Sequence, residues 1–103
     1  MFEKDYRELL KEVTGALNCK ILLMEPFVLP VTEYRAGHRQ ALEADIGVVR
    51  KLAKEFNTEL IPLDGIITGA AVKTGPAFWS PDGIHPSMAG HGLIAKSWIE
   101  HIT

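Results

Sequence analysis

Apolar residues recur every three or four positions in three stretches of the chain, the spacing typical of amphipathic helices. The first stretch predicts a helix over residues 2–17, with apolar positions Phe2, Tyr6, Leu9, Leu10, Val13 and Leu17. The second predicts a helix over about 38–56, with Asn57 as its left-handed cap. In the third, Pro86 is expected in the first helical turn, where its missing N–H costs nothing. The apolar face of this last helix is expected to consist of Met88, His91, Ala95, Trp98 and Ile102.

Two short apolar runs separate these helices and predict buried strands, KILLM at residues 20–24 and TELIPL at 58–63. The segment EPFVLPVTEYRAG after the first run contains two prolines and a glycine, which favour a long loop. Asp64 and Gly65 are expected to turn the chain out of the second strand into a short helix over 66–73. The resulting order of elements, α-β-α-β-α-α, is typical of a layered α/β fold with a parallel sheet.

The composition fits one small domain of 103 residues, because 47 % of them are apolar and 23 % are charged. The net charge is −2 and no basic patch is present, so nucleic acid is not expected as a partner. Charges of both signs over residues 43–55 are most simply a solvated helix face. No apolar run reaches the roughly 18 residues of a membrane span, and the charged N-terminal stretch does not resemble a signal peptide. Cys19, the single cysteine, excludes an internal disulfide, suits a reducing compartment such as the cytoplasm, and is expected to lead into a strand as a small apolar residue.

The loop from Thr74 to His85 contains the residues with the clearest chemical signal. Asp82 and His85 lie three positions apart in WSPDGIHP, so the two side chains can meet within one tight loop. A neutral imidazole can take a proton from a hydroxyl near pH 7, and a carboxylate on its other nitrogen fixes the tautomer. Because functional groups of open α/β sheets gather beyond the carboxyl ends of the strands, this loop is expected at that edge.

Other interpretations of these residues stay open on spacing alone. Asp82 and His85 could form a solvated Asp-Gly turn beside a helix cap. Together with His91 they are also metal-ligand types, but their spacing matches no metal motif, and neither a metal nor a cofactor is predicted. Phe78 and Trp79 are candidates to contact a substrate, because aromatic side chains near a catalytic loop often line a pocket, although core packing explains them equally well.

The run DGIHPSMAGHGLIAKSWIE, residues 82–100, resembles the last conserved block of the SGNH, or GDSL-type, esterases and lipases. Its Asp-x-x-His-Pro sequence and the Gly-His pair that follows are the specific part. ILLMEPFVLP resembles the penultimate strand of that family with its following loop, and TELIPLDGIITGAA resembles the last strand and short helix. The resemblance covers nearly all 103 residues. It implies the C-terminal portion of a three-layer, flavodoxin-like SGNH hydrolase fold, with residues 1–103 as part of a single domain.

The resemblance also implies ester hydrolysis in which His85 is the general base and then the general acid, oriented by Asp82. The nucleophilic serine of the family lies in a Gly-Asp-Ser motif, and part of its oxyanion hole lies in a Gly-x-Asn-Asp motif. Neither motif is present in this sequence. Ser80 and Ser87 flank the pair, but neither stands at a strand-to-helix elbow. The serine is therefore expected outside this chain, which would be the C-terminal half of a longer enzyme.

Two classes of function remain open. The first is an esterase for small acyl esters or acetylated sugars, in which this chain is inactive without the serine. The second is a non-catalytic α/β remnant or interaction module that retains the pair. With only two strands expected, a sheet edge and several apolar helix faces would lack partners. The chain is therefore expected to form a homo-oligomer, or to be complemented by the missing N-terminal half.

Overall fold

The computed structural model describes residues 2–102, and these form five α-helices, one short 3₁₀ helix and two strands. In chain order the elements are α1 (Phe2–Ala16), β1 (Leu22–Met24), α2 (Glu33–Ala36), α3 (Arg39–Glu55), β2 (Glu59–Ile61), α4 (Leu63–Thr74), the 3₁₀ helix (Pro76–Phe78) and α5 (Met88–Ile102).

The two strands lie side by side and run parallel, with Leu23 opposite Leu60 at the centre of the pairing. Helices cover both faces of this sheet. On one face, α1 and α3 pack on β1 through the buried residues Leu10, Leu23, Val49, Leu52 and Ala53. On the other face, a second buried cluster contacts α4 and α5 and consists of Leu29, Ile61, Leu63 and Ile67. The predicted parallel α/β arrangement is confirmed.

The described part of the chain is a flat slab rather than a sphere. Its principal dimensions are 41 × 32 × 17 Å, and its radius of gyration is 14.6 Å, whereas a compact domain of this length has a radius of about 13 Å. Because the slab is thin, many large apolar side chains stay exposed. They include Phe2, Leu9, Leu17, Met24, Met88, Trp98 and Ile102.

Several predicted elements agree with the structure. The helices expected at 2–17 and 38–56 are α1 and α3, and both strands lie inside the predicted runs. Asn57 has a φ of 54°, so it is left-handed as expected. It directly follows the C-cap residue Phe56. The periodic apolar positions therefore located the long elements to within a few residues.

The predicted loop after β1 and the predicted Asp-Gly turn are corrected by the structure. The loop contains the four-residue helix α2, which begins because the Thr32 hydroxyl accepts a hydrogen bond from the backbone N–H of Arg35 at 3.1 Å. Asp64 and Gly65 lie inside α4 and form no turn. The Asp64 carboxylate is paired with Arg39, and a carboxylate in the first turn of a helix is favourable beside the helix dipole.

The last helix differs from its prediction in its start, and the face that packs is not its predicted apolar face. It begins at Met88, so Pro86 lies before the helix and not in its first turn. The apolar face expected from the sequence is exposed, with Met88 at 91 % and Trp98 at 44 %. The helix instead packs through a neighbouring face, whose buried or partly buried residues are Gly90, Leu93, Ile94 and Ser97.

The charges on α3 do more than solvate a helix face, contrary to the prediction. The Arg7 guanidinium on α1 donates to Glu55 at 2.8 Å, and Lys51 donates to Glu3 of α1 at 2.9 Å. These pairs join α1 to α3.

Cys19, which was expected as a small apolar residue before the first strand, is exposed. None of the helices in the described residues is long and apolar enough to cross a membrane.

Candidate active site

Asp82 and His85 meet in the loop between the 3₁₀ helix and α5. Nδ1 of His85 lies 2.5 Å from Oδ2 of Asp82. The other carboxylate oxygen, Oδ1, accepts backbone N–H groups from His85 at 2.7 Å and from Ile84 at 3.0 Å. One carboxylate oxygen is therefore fixed by the backbone, and this leaves the second oxygen directed at the imidazole.

These contacts determine the electrostatics of the pair. The backbone N–H of His85, its imidazole and the backbone N–H of Ile84 hold the pKa of the Asp82 carboxyl well below its usual range. Asp82 is thus a carboxylate at neutral pH, and it favours the tautomer in which Nδ1 of His85 carries the proton. In that tautomer Nε2 is free to accept a proton. The His85 side chain is 79 % exposed, so Nε2 can reach a group outside this chain.

The two serines that flank the pair both have structural contacts. Ser80 is fully buried, and its hydroxyl donates to the backbone carbonyl of His85 at 2.8 Å. Ser87 accepts the N–H of Gly90 at 3.1 Å and donates to the carbonyl of Phe78 at 2.7 Å, so it caps the start of α5. Each hydroxyl stabilises the loop conformation, and neither forms a hydrogen bond with the His85 imidazole.

The two aromatic candidates occupy different environments. Their rings meet edge to face, with centroids 4.8 Å apart. Phe78 is 54 % exposed, whereas Trp79 packs against the second core cluster and its indole Nε1 is buried without a hydrogen-bond partner among the described residues. Of the two, Phe78 therefore has the surface that an incoming molecule could contact.

Among residues 2–102, the remaining histidines form no hydrogen bond with Asp82 or His85. His91 is exposed on α5, and its backbone N–H donates to the carbonyl of Ser87. His38 stacks edge to face on Tyr34, and His101 contacts the carbonyl of Ser97 through Nδ1. Within residues 2–102, no three His, Cys, Asp or Glu side chains are grouped closely enough to hold a metal ion.

Two carboxylates near the carboxyl ends of the strands are buried and ion-paired, and the sequence did not indicate this pairing. Glu25 directly follows β1, and its fully buried side chain is paired with Arg50 at 2.5 Å. Asp64 comes soon after β2 and accepts two bonds from Arg39, at 2.6 and 2.5 Å. Each partner lies 25 residues away, a separation that local pattern analysis does not detect. The placement of an acidic residue at the end of an apolar run was the available signal.

An apolar cleft of about 270 Å³ has neither Asp82 nor His85 in its lining. It is lined by Val28, Pro30, Arg35, Ala36, Arg39 and Thr68. The guanidinium of Arg39 is already bound to Asp64.

A parallel sheet covered by helices on both faces, with an Asp-His pair in the loop before the last helix, agrees with the arrangement that the sequence resemblance to SGNH-type hydrolases implies. Comparison with known proteins supports this class. No family model matches the chain. An acetylxylan esterase from Geobacillus stearothermophilus is 29 % identical over 101 residues, which are 98 % of this chain and 45 % of that protein.

Solved structures give the same result for the fold. A protein described as a GDSL-like lipase from Parabacteroides merdae has a TM-score of 0.85 and 36 % identity over 96 % of this chain and 47 % of its own. The acetylxylan esterase from Geobacillus stearothermophilus has a TM-score of 0.81 and 29 % identity over 97 % of this chain and 45 % of its own. Three further structures of that esterase are described as catalytic mutants, in which a serine, an aspartate or a histidine is replaced by alanine.

The chain therefore spans less than half the length of the relatives it matches. Over that length it has the fold of the C-terminal part of GDSL-type esterases, and the resemblance recognised in the sequence is confirmed.

Proposed function

We propose that this chain supplies the histidine and aspartate of an ester hydrolase whose nucleophilic serine lies outside residues 1–103. The main support is the 2.5 Å contact between Nδ1 of His85 and Oδ2 of Asp82. Oδ1 of the same carboxylate is fixed by two backbone N–H groups. Nε2 of His85 takes the proton of the serine hydroxyl as that oxygen attacks the ester carbonyl. The imidazolium then gives the proton to the leaving alcohol oxygen, and the acyl-serine is hydrolysed by water with the same base.

The described catalytic mutants of the Geobacillus esterase support these roles. Their aspartate and histidine lie three positions apart in that protein, the same spacing as Asp82 and His85. The replaced serine lies close to the N-terminus of that protein, outside the C-terminal 45 % that this chain covers. Ser80 and Ser87 are committed to loop and cap contacts. We therefore assign the nucleophile to a segment that this chain does not contain.

The substrate class follows from the same relatives. They include an esterase described as acting on acetyl-xylooligosaccharides, so a short acyl ester, such as an acetylated sugar, is the proposed substrate. Phe78 is proposed to contact it, because its ring is exposed beside the catalytic loop. Trp79 is proposed to support the ring of Phe78, against which it packs edge to face.

The serine-bearing segment also needs a surface on which to dock. The accessible surface of the chain is 6670 Å², whereas a compact monomer of this mass exposes about 5800 Å². The excess, roughly 900 Å², is close to the 800 Å² that one partner contributes to a standard interface. The apolar face of α5, which includes Met88, Trp98 and Ile102, is part of the exposed surface. We propose that the serine-bearing half of the domain covers it.

The test is made in the polypeptide that carries this chain together with a Gly-Asp-Ser segment, with an aryl acetate as substrate. His85→Ala should lower kcat by at least about 10³-fold. Asp82→Asn should also be severe, because an amide nitrogen facing Nδ1 favours the wrong imidazole tautomer. His101→Ala is the matched control and should leave kcat unchanged. Near-normal activity of His85→Ala would refute the proposal. A polypeptide without any esterase activity would favour the non-catalytic module.

A further inference from the structure

The catalytic loop, which contains Asp82 and His85, is hydrogen-bonded to the segment that follows β1. The backbone N–H of Leu29 donates to the carbonyl of Gly83 at 2.9 Å. Nε of Arg35 donates to the carbonyl of Asp82 at 2.8 Å, across 47 residues of sequence. Two consecutive carbonyls of the loop are therefore bound by one neighbouring segment.

The same two peptide groups are also bound at their N–H ends. The N–H of Gly83 donates to the carbonyl of Ser80 at 3.3 Å, and the N–H of Ile84 donates to Oδ1 of Asp82 at 3.0 Å. Both peptide planes around Gly83 are thus fixed at each end. Because Oδ1 of Asp82 is one of the acceptors, the orientation of these planes sets the direction of the carboxylate.

Close packing at Gly83 shows how tightly the segment approaches the loop. Gly83 has a φ of +90°, and a Cβ built there would lie 2.5 Å from the carbonyl oxygen of Leu29, 3.1 Å from Cγ of Arg35 and 3.2 Å from Cγ2 of Val31. Glycine is required by both the conformation and the space. The aliphatic part of Arg35 therefore packs on the loop while its Nε binds the carbonyl.

Arg35 is itself held in place. It lies in α2, whose first turn is capped because the Thr32 hydroxyl accepts the N–H of Arg35. The preceding segment is anchored by Val28 and Leu29, which are 4 % and 1 % exposed. A guanidinium on a capped helix that follows a buried anchor costs less ordering entropy when it binds than one on a free loop.

We propose that Arg35 is a positioning residue for the Asp82–His85 pair. Its Nε fixes the peptide between Asp82 and Gly83, and this keeps the two backbone N–H groups on Oδ1 and leaves Oδ2 facing the imidazole. The role in catalysis rests on the proposed function, whereas the effect on the geometry of the pair does not. The two are measured separately.

Two substitutions of equal length isolate the donor. In Arg35→Gln the side-chain nitrogen is the same number of bonds from the backbone as Nε of arginine, so the donor is retained. In Arg35→Met a methyl group takes that place, so packing is retained and the donor is lost. Both variants are uncharged. Arg7→Met is the control for removal of an arginine far from the loop, since Arg7 joins α1 to Glu55 of α3.

The first readout is NMR of this chain and does not require activity. Arg35→Met should raise the Asp82 carboxyl pKa, followed by carbon chemical shift, toward its ordinary value, and should shift the amide signals of Gly83 and Ile84. Arg35→Gln and Arg7→Met should leave both readouts close to those of the unchanged chain. If Arg35→Met does not fold, Thr32→Val, which removes the cap of α2, should cause a smaller change in the same direction, and Thr32→Ser should not.

The second readout is kinetic, in the serine-containing polypeptide. Arg35→Met should lower kcat by about 10- to 100-fold with little change in KM, because misplacement of a catalytic group affects the chemical step, and Arg35→Gln should restore most of the loss. Unchanged Asp82 titration and unchanged amide signals in folded Arg35→Met would overturn the positioning role, whatever the activity. Normal esterase activity of the His85→Ala variant would instead refute the proposed function. The NMR test of the geometry would stay valid.

Discussion

The buried ion pair of Arg39 and Asp64 should respond unequally to removal of its two halves. Two hydrogen bonds join the groups at the start of α4. The Asp64 side chain is only 7 % exposed, whereas that of Arg39 is 37 % exposed and has a second partner, Glu43, at 3.3 Å. An unpaired Arg39 can turn toward water and Glu43. An unpaired Asp64 cannot reach water without opening the packing around it.

The expected free energies follow from that difference. Arg39→Met leaves a buried carboxylate without its partner and should lower the free energy of unfolding by about 3 kcal/mol. This value is at the lower end for a broken buried pair, because Asp64 lies in the first turn of α4, where the helix dipole favours a negative charge. Asp64→Leu leaves a partly solvated guanidinium and should cost about 1 kcal/mol. The double variant should lie within about 1 kcal/mol of the unchanged chain.

Urea unfolding followed by tryptophan fluorescence at pH 7 and one protein concentration measures these differences. With a denaturant slope of about 1.5 kcal/mol per molar, the two single variants should differ in midpoint by about 1.3 M. Equal midpoints, or a lower midpoint for Asp64→Leu, would show that side-chain exposure does not decide the cost at this pair.

Four further results are expected. Because the folded-state pKa of Asp82 is lowered, its contribution to stability is complete above about pH 4 and is lost as the pH falls further. The difference in stability between the unchanged chain and Asp82→Asn should therefore shrink below that pH. Ser87→Ala should lower the free energy of unfolding by about 1 kcal/mol through loss of the α5 cap, and Ser87→Thr should restore most of it, because its hydroxyl can both accept from Gly90 and donate to Phe78. The isolated chain should hydrolyse an aryl acetate no faster than its His85→Ala, Asp82→Ala double variant, and stoichiometric fluorophosphonate labelling of Ser80 or Ser87 would contradict this. Light scattering over a concentration series should detect self-association of the isolated chain, and a clean 11.4 kDa monomer with cooperative unfolding would show that this half closes its own core without a partner.

The elements that could be predicted are those whose signal is repeated along the chain. Helices α1 and α3 each contain four or more turns of apolar periodicity, so single exceptions do not obscure them. Helix α2 has four residues and is defined by one side-chain cap at Thr32. The start of α4 was mistaken for a turn because Asp-Gly is a strong local turn signal, whereas the ion pair of Asp64 comes from a residue 25 positions away.

The same distinction between local and distant contacts applies to the site. Asp82 and His85 interact across three residues within one loop, and the sequence pattern predicted that meeting correctly. The bond from Arg35 to the carbonyl of Asp82 crosses 47 residues and involves a backbone atom, which leaves no trace in residue type. The buried pair of Glu25 and Arg50 is equally distant and was invisible for the same reason.

Helix α5 shows that apolar periodicity and burial within a chain are different quantities. Its periodic face, marked by Met88 and Trp98, is exposed, while the face that packs contains Gly90 and Ser97, whose small side chains hydropathy does not identify. Gly90 lies so close to the backbone carbonyl of Trp79 that no side chain fits there. A contiguous exposed apolar face of a helix marks a surface that another segment or another protein contacts. Under the proposed function, one segment would bring both a serine to His85 and an apolar surface to the exposed face of α5.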